Sequence, residues 1–330
     1  MRRRREGRRL RTSAESTPLG VYMYRLGITL LVAGVAATSA AGQAPSYRLV
    51  EGWPPLPGGV AGWGQTIGIE IDAQDNLWVF HRCFAGDCIQ GGRENAMPVL
   101  RYNQAGTITA LWGAGLFVWP HGSTLDADGN LWLTDARGAN GKGHTVQKFT
   151  PQGRLLMTLG QPGVAGATET TFDGPADVAI APNGDIFVAD GHGNDRIVKF
   201  SPTGEFIMQW GQEGTLLGQF NEPHTLAFDS QGRLFVGDRI NQRIQVFDQS
   251  GRFLAVWPAI MASGIHITDD DVVLVADYQL RKGIIIANAS DFSEITVIDE
   301  ALPEGVSMDS HGSIYAGEVV YQNLKKFERR

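Results

Sequence analysis

Three residues able to hold a metal ion, His121, His224 and Glu304, occupy one recurring position in the sequence. Each follows a proline (Pro120, Pro223, Pro303), and each lies fourteen residues before an acid that ends a strand-like segment: Asp135, Asp238 and Glu318. The stretches WPHGSTLDADGNLWLTD, from Trp119, and EPHTLAFDSQGRLFVGD, from Glu222, show the shared pattern. Two imidazoles and one carboxylate are an established ligand set for catalytic zinc, which keeps a position open for water or substrate. Zinc is therefore the ion this trio suits. A lone histidine at a turn-to-strand junction is more often a hydrogen-bonded structural residue. The common register of three metal-competent side chains is what favours the ligand reading.

Residues just after the strand ends form a second group. Arg82 follows His81, His192 lies two residues after Asp190, and Arg239 follows Asp238. Planar guanidinium donors bind a carboxylate bidentately, and imidazole is a competent general base. The set implies a small-molecule or peptide substrate bearing a carboxylate, held by Arg82 and Arg239, with His192 moving a proton. An ion pair with a neighbouring blade's acid is the structural alternative for Arg239. His144, His266 and His311 fall out of register and read as loop or surface residues, while His81 replaces an acid and reads as structural.

These side chains need a repeating scaffold, and the chain supplies one. DGNLWLTD, NGDIFVAD, QGRLFVGD and HGSIYAGE each place a turn before an alternating strand and an acid, and DNLWVFH and DVVLVAD are degenerate members. Strand, turn and strand recur six times with no helical periodicity, which predicts an all-β, six-bladed β-propeller. Equivalent positions on alternate blades of such a ring are about 120° apart around its channel, so His121, His224 and Glu304 should converge on the axis. Ala176, Ile67 and Ser263 fill the intervening positions. The last repeat is one strand short, and YRLVEGW from Tyr47 can complete it and remove an open edge.

Residues 1–43 are set apart from the propeller at 44–330. LGITLLVAGVAATSAAGQA, with Arg25 before it, has the apolar core and small-residue end of a secretory signal, so a secreted or periplasmic location is expected. Membrane attachment would follow only if the signal stayed uncleaved. The segment holds eight of the 28 basic residues and two of the 35 acidic ones, so the remainder is strongly acidic and no nucleic-acid partner is expected. In an exported chain, Cys83 and Cys88 read as a local disulfide. A monomer is expected. G-x-S-x-G, Walker and H-E-x-x-H patterns are absent, and the glycine-rich RGANGKGH from Arg137 precedes a strand and reads as a long hairpin turn.

RIVKFSPTGEFIMQWG and RIQVFDQSGRFLAVW resemble NHL repeats. PHG, DGHGNDRIVKFSPTGEF and PHTLAF with GDRINQRIQVF resemble the peptidyl-α-hydroxyglycine α-amidating lyase family over roughly residues 60 to 330. The resemblance implies cleavage of an α-hydroxyglycine amide to a primary amide and glyoxylate. It also implies metal ligands at His121, His224 and Glu304 and arginines at Arg82 and Arg239. The chain departs from the family twice, with Glu304 in place of a third histidine and His192 in place of a catalytic tyrosine. The family's channel calcium uses an acid directly after the third histidine; Gly305 stands there, which leaves calcium open. A metal-dependent propeller hydrolase such as a lactonase, and a non-catalytic NHL binding module, are the alternative readings.

Overall fold

The computed structural model describes residues 44–330, which form six four-stranded antiparallel sheets arranged as the blades of a propeller. The signal segment read over residues 1–43 lies outside the described residues. Innermost strands are Thr66–Ile71, Pro120–Leu125, Pro175–Ile180, Pro223–Phe228, Gly264–Ile267 and Gly305–Met308. The second strands, Leu77–His81, Leu131–Asp135, Ile186–Asp190, Leu234–Asp238, Val272–Asp277 and Ile314–Glu318, end at the recurring acids or at His81. They read as near-continuous apolar runs because neighbouring blades cover both faces; Leu234–Asp238, for example, is buried throughout. Outermost strands such as Phe206–Trp210 alternate half-buried and exposed residues.

Apolar side chains fuse the blades pairwise. Phe235 and Trp257 of blade four pack with Val273 and Ile285 of blade five. Tyr315 and Leu324 of blade six pack with Ile69, Val79 and Leu100 of blade one, so the core runs across the last seam as it does across the others. Tyr47–Leu49 completes blade six, pairing antiparallel with Asn323–Arg329 through Tyr47↔Arg329 and Leu49↔Phe327. The edge left open by the last repeat is thereby paired, as the sequence predicts. Cys83 and Cys88 are bonded to each other in the loop that follows the second strand of blade one.

The recurring acids pin the turns that deliver the innermost strands. Asp135 accepts the amides of Val118 and Trp119 at 2.9 and 2.6 Å, Asp190 that of Asp173 at 2.9 Å, and Asp238 that of Asn221 at 2.8 Å. Asp277 and Glu318 do the same for Met261 and Leu302. Each bond fixes the backbone just ahead of the register position. In blades one to four a β-bulge falls on that position, between Thr66 and Gly68, Pro120 and Ser123, Pro175 and Asp177, and Pro223 and Thr225. A bulge leaves its residue out of the ladder and re-aims its side chain. This local irregularity turns His121 and His224 toward the channel.

Candidate functional site

His121 and His224 are almost wholly buried, and each has one ring nitrogen committed to a backbone carbonyl. His121 Nδ1 lies 2.7 Å from the Ala176 carbonyl, and His224 Nδ1 lies 2.8 Å from that of Ser263. Both carbonyls belong to the intervening blades. A carbonyl only accepts, so Nδ1 carries the proton in both rings and Nε2 presents its lone pair to the channel. Burial, and then the charges of nearby histidines and arginines, hold both imidazoles well below 6.5, hence neutral. A neutral ring oriented through its other nitrogen is the form that ligates a metal.

Glu304 joins this pair from blade six. Its Oε1 lies 3.7 Å from Nε2 of both His121 and His224. The three expected ligands are thus together, and they come from alternate blades. His192 comes closer than a separate base would, with Nε2 2.9 Å from His121 Nε2. His121, His192 and His224 offer nitrogens that all lie within 4.8 Å of one another. The donor set suits zinc, with either Glu304 or His192 as the third ligand beside His121 and His224.

Calcium does not fit at the place the lyase resemblance suggests. A Cβ on Gly305 would lie 1.8 Å from the Ile67 carbonyl oxygen, so that position admits no carboxylate. In blade three the residue after the register position is Asp177, but its oxygens accept the amides of Val178 and Leu226. That carboxylate ties blade three to blade four, and burial lifts its pKa to about 7.

The two arginines flank the histidines. Arg82 is buried, donating Nε to the Pro120 carbonyl at 3.1 Å and Nη1 to Gln65 at 2.5 Å; its Nη2 has no partner. Burial lowers its pKa to about 10, so it stays charged at neutral pH. Arg239 donates Nη1 to His224 Nε2 at 3.0 Å and Nη2 to Glu222 at 3.1 Å, and its buried Nε is unpartnered. Arg239 is ion-paired, but to Glu222 of its own blade rather than to an acid of a neighbouring blade.

Glu222 and Tyr278 were not among the residues singled out from sequence. Glu222 Oε1 lies 2.8 Å from His192 Nδ1, so it fixes the ring that faces the cluster. Burial raises the Glu222 carboxyl, but bonds and charge from His192 and Arg239 outweigh this and leave it lowered. The signal was visible as the first letter of EPH, the place Trp119 takes in WPH. Tyr278 follows Asp277 as Arg82 follows His81 and Arg239 follows Asp238. The charges of Glu304, Arg239, Glu222 and Arg82 all bear on its phenol, whose pKa is raised, chiefly by burial. The same register rule extended to blade five identifies it.

Among the remaining histidines, His311 is an exposed loop residue and His144 lies in a loop. His266 corrects the sequence reading: it sits within the innermost strand of blade five, half-buried, with Nδ1 3.4 Å from Ser307 Oγ. Burial lowers its pKa to about 4, and it takes no part in the histidine cluster. His81 is fully buried and accepts the Phe84 amide at 3.0 Å.

Comparison with known proteins agrees with this architecture. The NHL repeat model matches residues 172–200 and 220–247. Human NHL repeat-containing protein 3 is 32% identical over 306 residues, 85% of this chain and 84% of the relative. A probable peptidyl-α-hydroxyglycine α-amidating lyase of Caenorhabditis elegans is 38% identical over 223 residues, 62% of this chain and 61% of the relative. A solved streptogramin B lyase superposes with a TM-score of 0.59 at 11% identity, covering 86% of this chain and 98% of that one, which bears on the fold alone. The chain belongs to the NHL-repeat β-propeller family that includes NHL repeat-containing protein 3, and it has peptidyl-α-hydroxyglycine α-amidating lyases among its relatives.

Proposed function

We propose that this protein is an exported, metal-dependent lyase that cleaves N-substituted α-hydroxyglycines to a primary amide and glyoxylate. The observation that carries this reading is the meeting of His121, His224 and Glu304 with His192, Arg82 and Arg239 at one end of the channel, in a chain with relatives named for that reaction. Export is supported by the Cys83–Cys88 bond, since such bonds persist in oxidising compartments.

The reaction removes the hydroxyl proton, turns the carbinol C–O into the aldehyde of glyoxylate and leaves the C–N electron pair on nitrogen, which takes up a proton. His192 is placed to accept the first proton at Nε2 and return it to the leaving nitrogen. Glu222 on Nδ1 orients the ring and stabilises the charge that develops on it. Arg82 Nη2 and Arg239 Nε, both buried and without a protein partner, are the donors offered to the substrate carboxylate. A zinc held by His121, His224 and Glu304 would supply Lewis-acid stabilisation of the reacting oxygen.

Incubation of the purified protein with an N-acyl α-hydroxyglycine, with glyoxylate, amide and metal content quantified together, tests the reading. Equal release of both products by metal-containing protein is expected. Metal-replete protein that releases neither refutes the lyase, and lactone opening by that same protein would assign the site to a water-activating hydrolase.

A further inference from the structure

Trp119 carries an arginine on each face. The guanidinium carbon of Arg82 lies 3.5 Å from the indole ring centroid and that of Arg137 lies 3.9 Å away. Two planar cations cannot share one face at those distances, so the ring is sandwiched between them. The indole itself is fixed. Its Nε1 donates to the Gly86 carbonyl at 3.0 Å, and its backbone amide donates to Asp135 at 2.6 Å. Its other neighbours are His121 and His192, with ring centroids 5.2 and 5.6 Å away, so Trp119 forms one wall of the site.

The two arginines differ in what remains free. Arg82 is buried, and two of its three nitrogens are already bonded to protein. Arg137 is exposed, and no hydrogen bond or ion pair to its side chain occurs among the described residues. Stacking occupies the face of a guanidinium and leaves its in-plane N–H donors available. Arg137 is thus a positioned cation with an open donor edge, while Arg82 on the inner side addresses the site. The indole separates the two cations by roughly 7 Å, about twice a stacking distance. One carboxylate cannot serve both through the ring, so the outer cation fits a second anionic group.

We infer that Arg137 is a specificity-determining residue and that the preferred substrate is dianionic: a peptide or acyl compound with an acidic side chain on the residue preceding the α-hydroxyglycine. The inner carboxylate is held by Arg82 and Arg239, and the acidic side chain pairs with Arg137 across Trp119. A planar cation stacked in advance loses little side-chain freedom when it binds a carboxylate, which favours discrimination at this position. The identity of the inner group rests on the lyase reading; the outer contact does not require any reaction to occur.

The test uses the full metal-containing protein and two unreactive probes, N-acetyl-Glu-Gly and N-acetyl-Gln-Gly, which lack the hydroxyl and differ only in the second charge. Calorimetric titration should show the glutamyl probe bound about tenfold more tightly, the scale of one well-placed charge pair. Arg137→Gln should collapse that ratio toward one, and Arg137→Lys, which keeps charge but not the stacked fork, should retain part of it. An unchanged ratio in Arg137→Gln overturns the inference, as does equal binding, or no binding, of both probes by the wild-type protein. Absence of glyoxylate release from α-hydroxyglycine substrates would refute the lyase reading instead, and would leave a charge preference at Arg137 standing.

Discussion

Replacing Glu222 by glutamine isolates the part of the site that the reacting groups do not themselves supply. One oxygen, Oε1, serves both His192 Nδ1 at 2.8 Å and Arg239 Nη2 at 3.1 Å. Glutamine keeps the shape and still offers an oxygen to His192, but removes the charge that balances the imidazolium formed as His192 takes a proton. A hydrogen bond to a charged group contributes about 1.5–3 kcal/mol, so kcat should fall about 10- to 100-fold. With Glu304 as the third ligand, metal content should be unchanged, because Glu222 bonds none of His121, His224 and Glu304. The backbone provides an internal control. Glu222 has φ 62°, a left-handed conformation that costs a residue with a Cβ about 1–2 kcal/mol. Glu222→Gly relieves that strain while deleting the carboxylate, so its melting temperature should equal or exceed that of Glu222→Gln while its turnover is no higher. Glyoxylate release, metal analysis and thermal melts of the two variants check these points. If Glu222→Gln keeps turnover within threefold of wild type, Glu222 does not act by supporting a base at His192; loss of metal would instead make His192 a ligand and refute its role as the base.

His224→Ala and Glu304→Ala should each lose most bound metal, whereas His266→Ala, altered on an innermost strand but outside the cluster, should keep it; metal analysis at matched protein concentration decides. Deleting residues 44–49 removes the strand that closes blade six and should lower the melting temperature cooperatively, since it exposes the blade edge and strips Tyr47 and Leu49 from the core of Ile314, Ala316 and Phe327 between blades five and six. Asp126 gives a pH-dependent test remote from the site: burial raises its carboxyl, but the Lys148 contact and the Asn130 bonds prevail and hold it below 3.8. A depressed folded-state pKa contributes stability that is present above the unfolded value and lost as pH falls through the folded one. Melting temperature should therefore drop less between pH 5 and 3 in Asp126→Asn than in wild type.

The fourteen-residue spacing was legible because one turn and two strands of fixed length separate the register position from its acid in every repeat. Periodicity reports lengths, and here lengths set angles around a ring. It does not report the bulges at His121 and His224, which blades five and six lack although their acids pin the same turns. His192 illustrates a related limit. Its place after Asp190 was readable, but its 2.9 Å approach to His121 depends on the depth to which the DGHG turn descends. A Cβ on Gly191 would lie 1.9 Å from the Pro223 carbonyl, so only glycine lets the turn settle there. Arg137 was hidden by its context, a glycine-rich turn whose local composition describes the loop and not the indole that the arginine covers. His266 was misread for the opposite reason: blade five has the most degenerate repeat, and without a clear turn signal its innermost strand resembled a loop.

The two departures from the lyase pattern share one electrostatic logic. Three histidine ligands are uncharged, and a tyrosine acts as a base only as its phenolate, so that arrangement carries one negative charge on the base. In the proposed site Glu304 would bring the negative charge on the ligand side and His192 would be a base that needs none. Both side chains meet at the same atom, with Glu304 Oε1 3.7 Å and His192 Nε2 2.9 Å from His121 Nε2. Either exchange alone would change the charge facing Arg82 and Arg239 by one, in a setting where both arginines retain buried, unpartnered donors. Made together they preserve it. On this account Glu304 and His192 are one compensated exchange, and Glu304→His without His192→Tyr would remove a negative charge that acts on the buried Arg82.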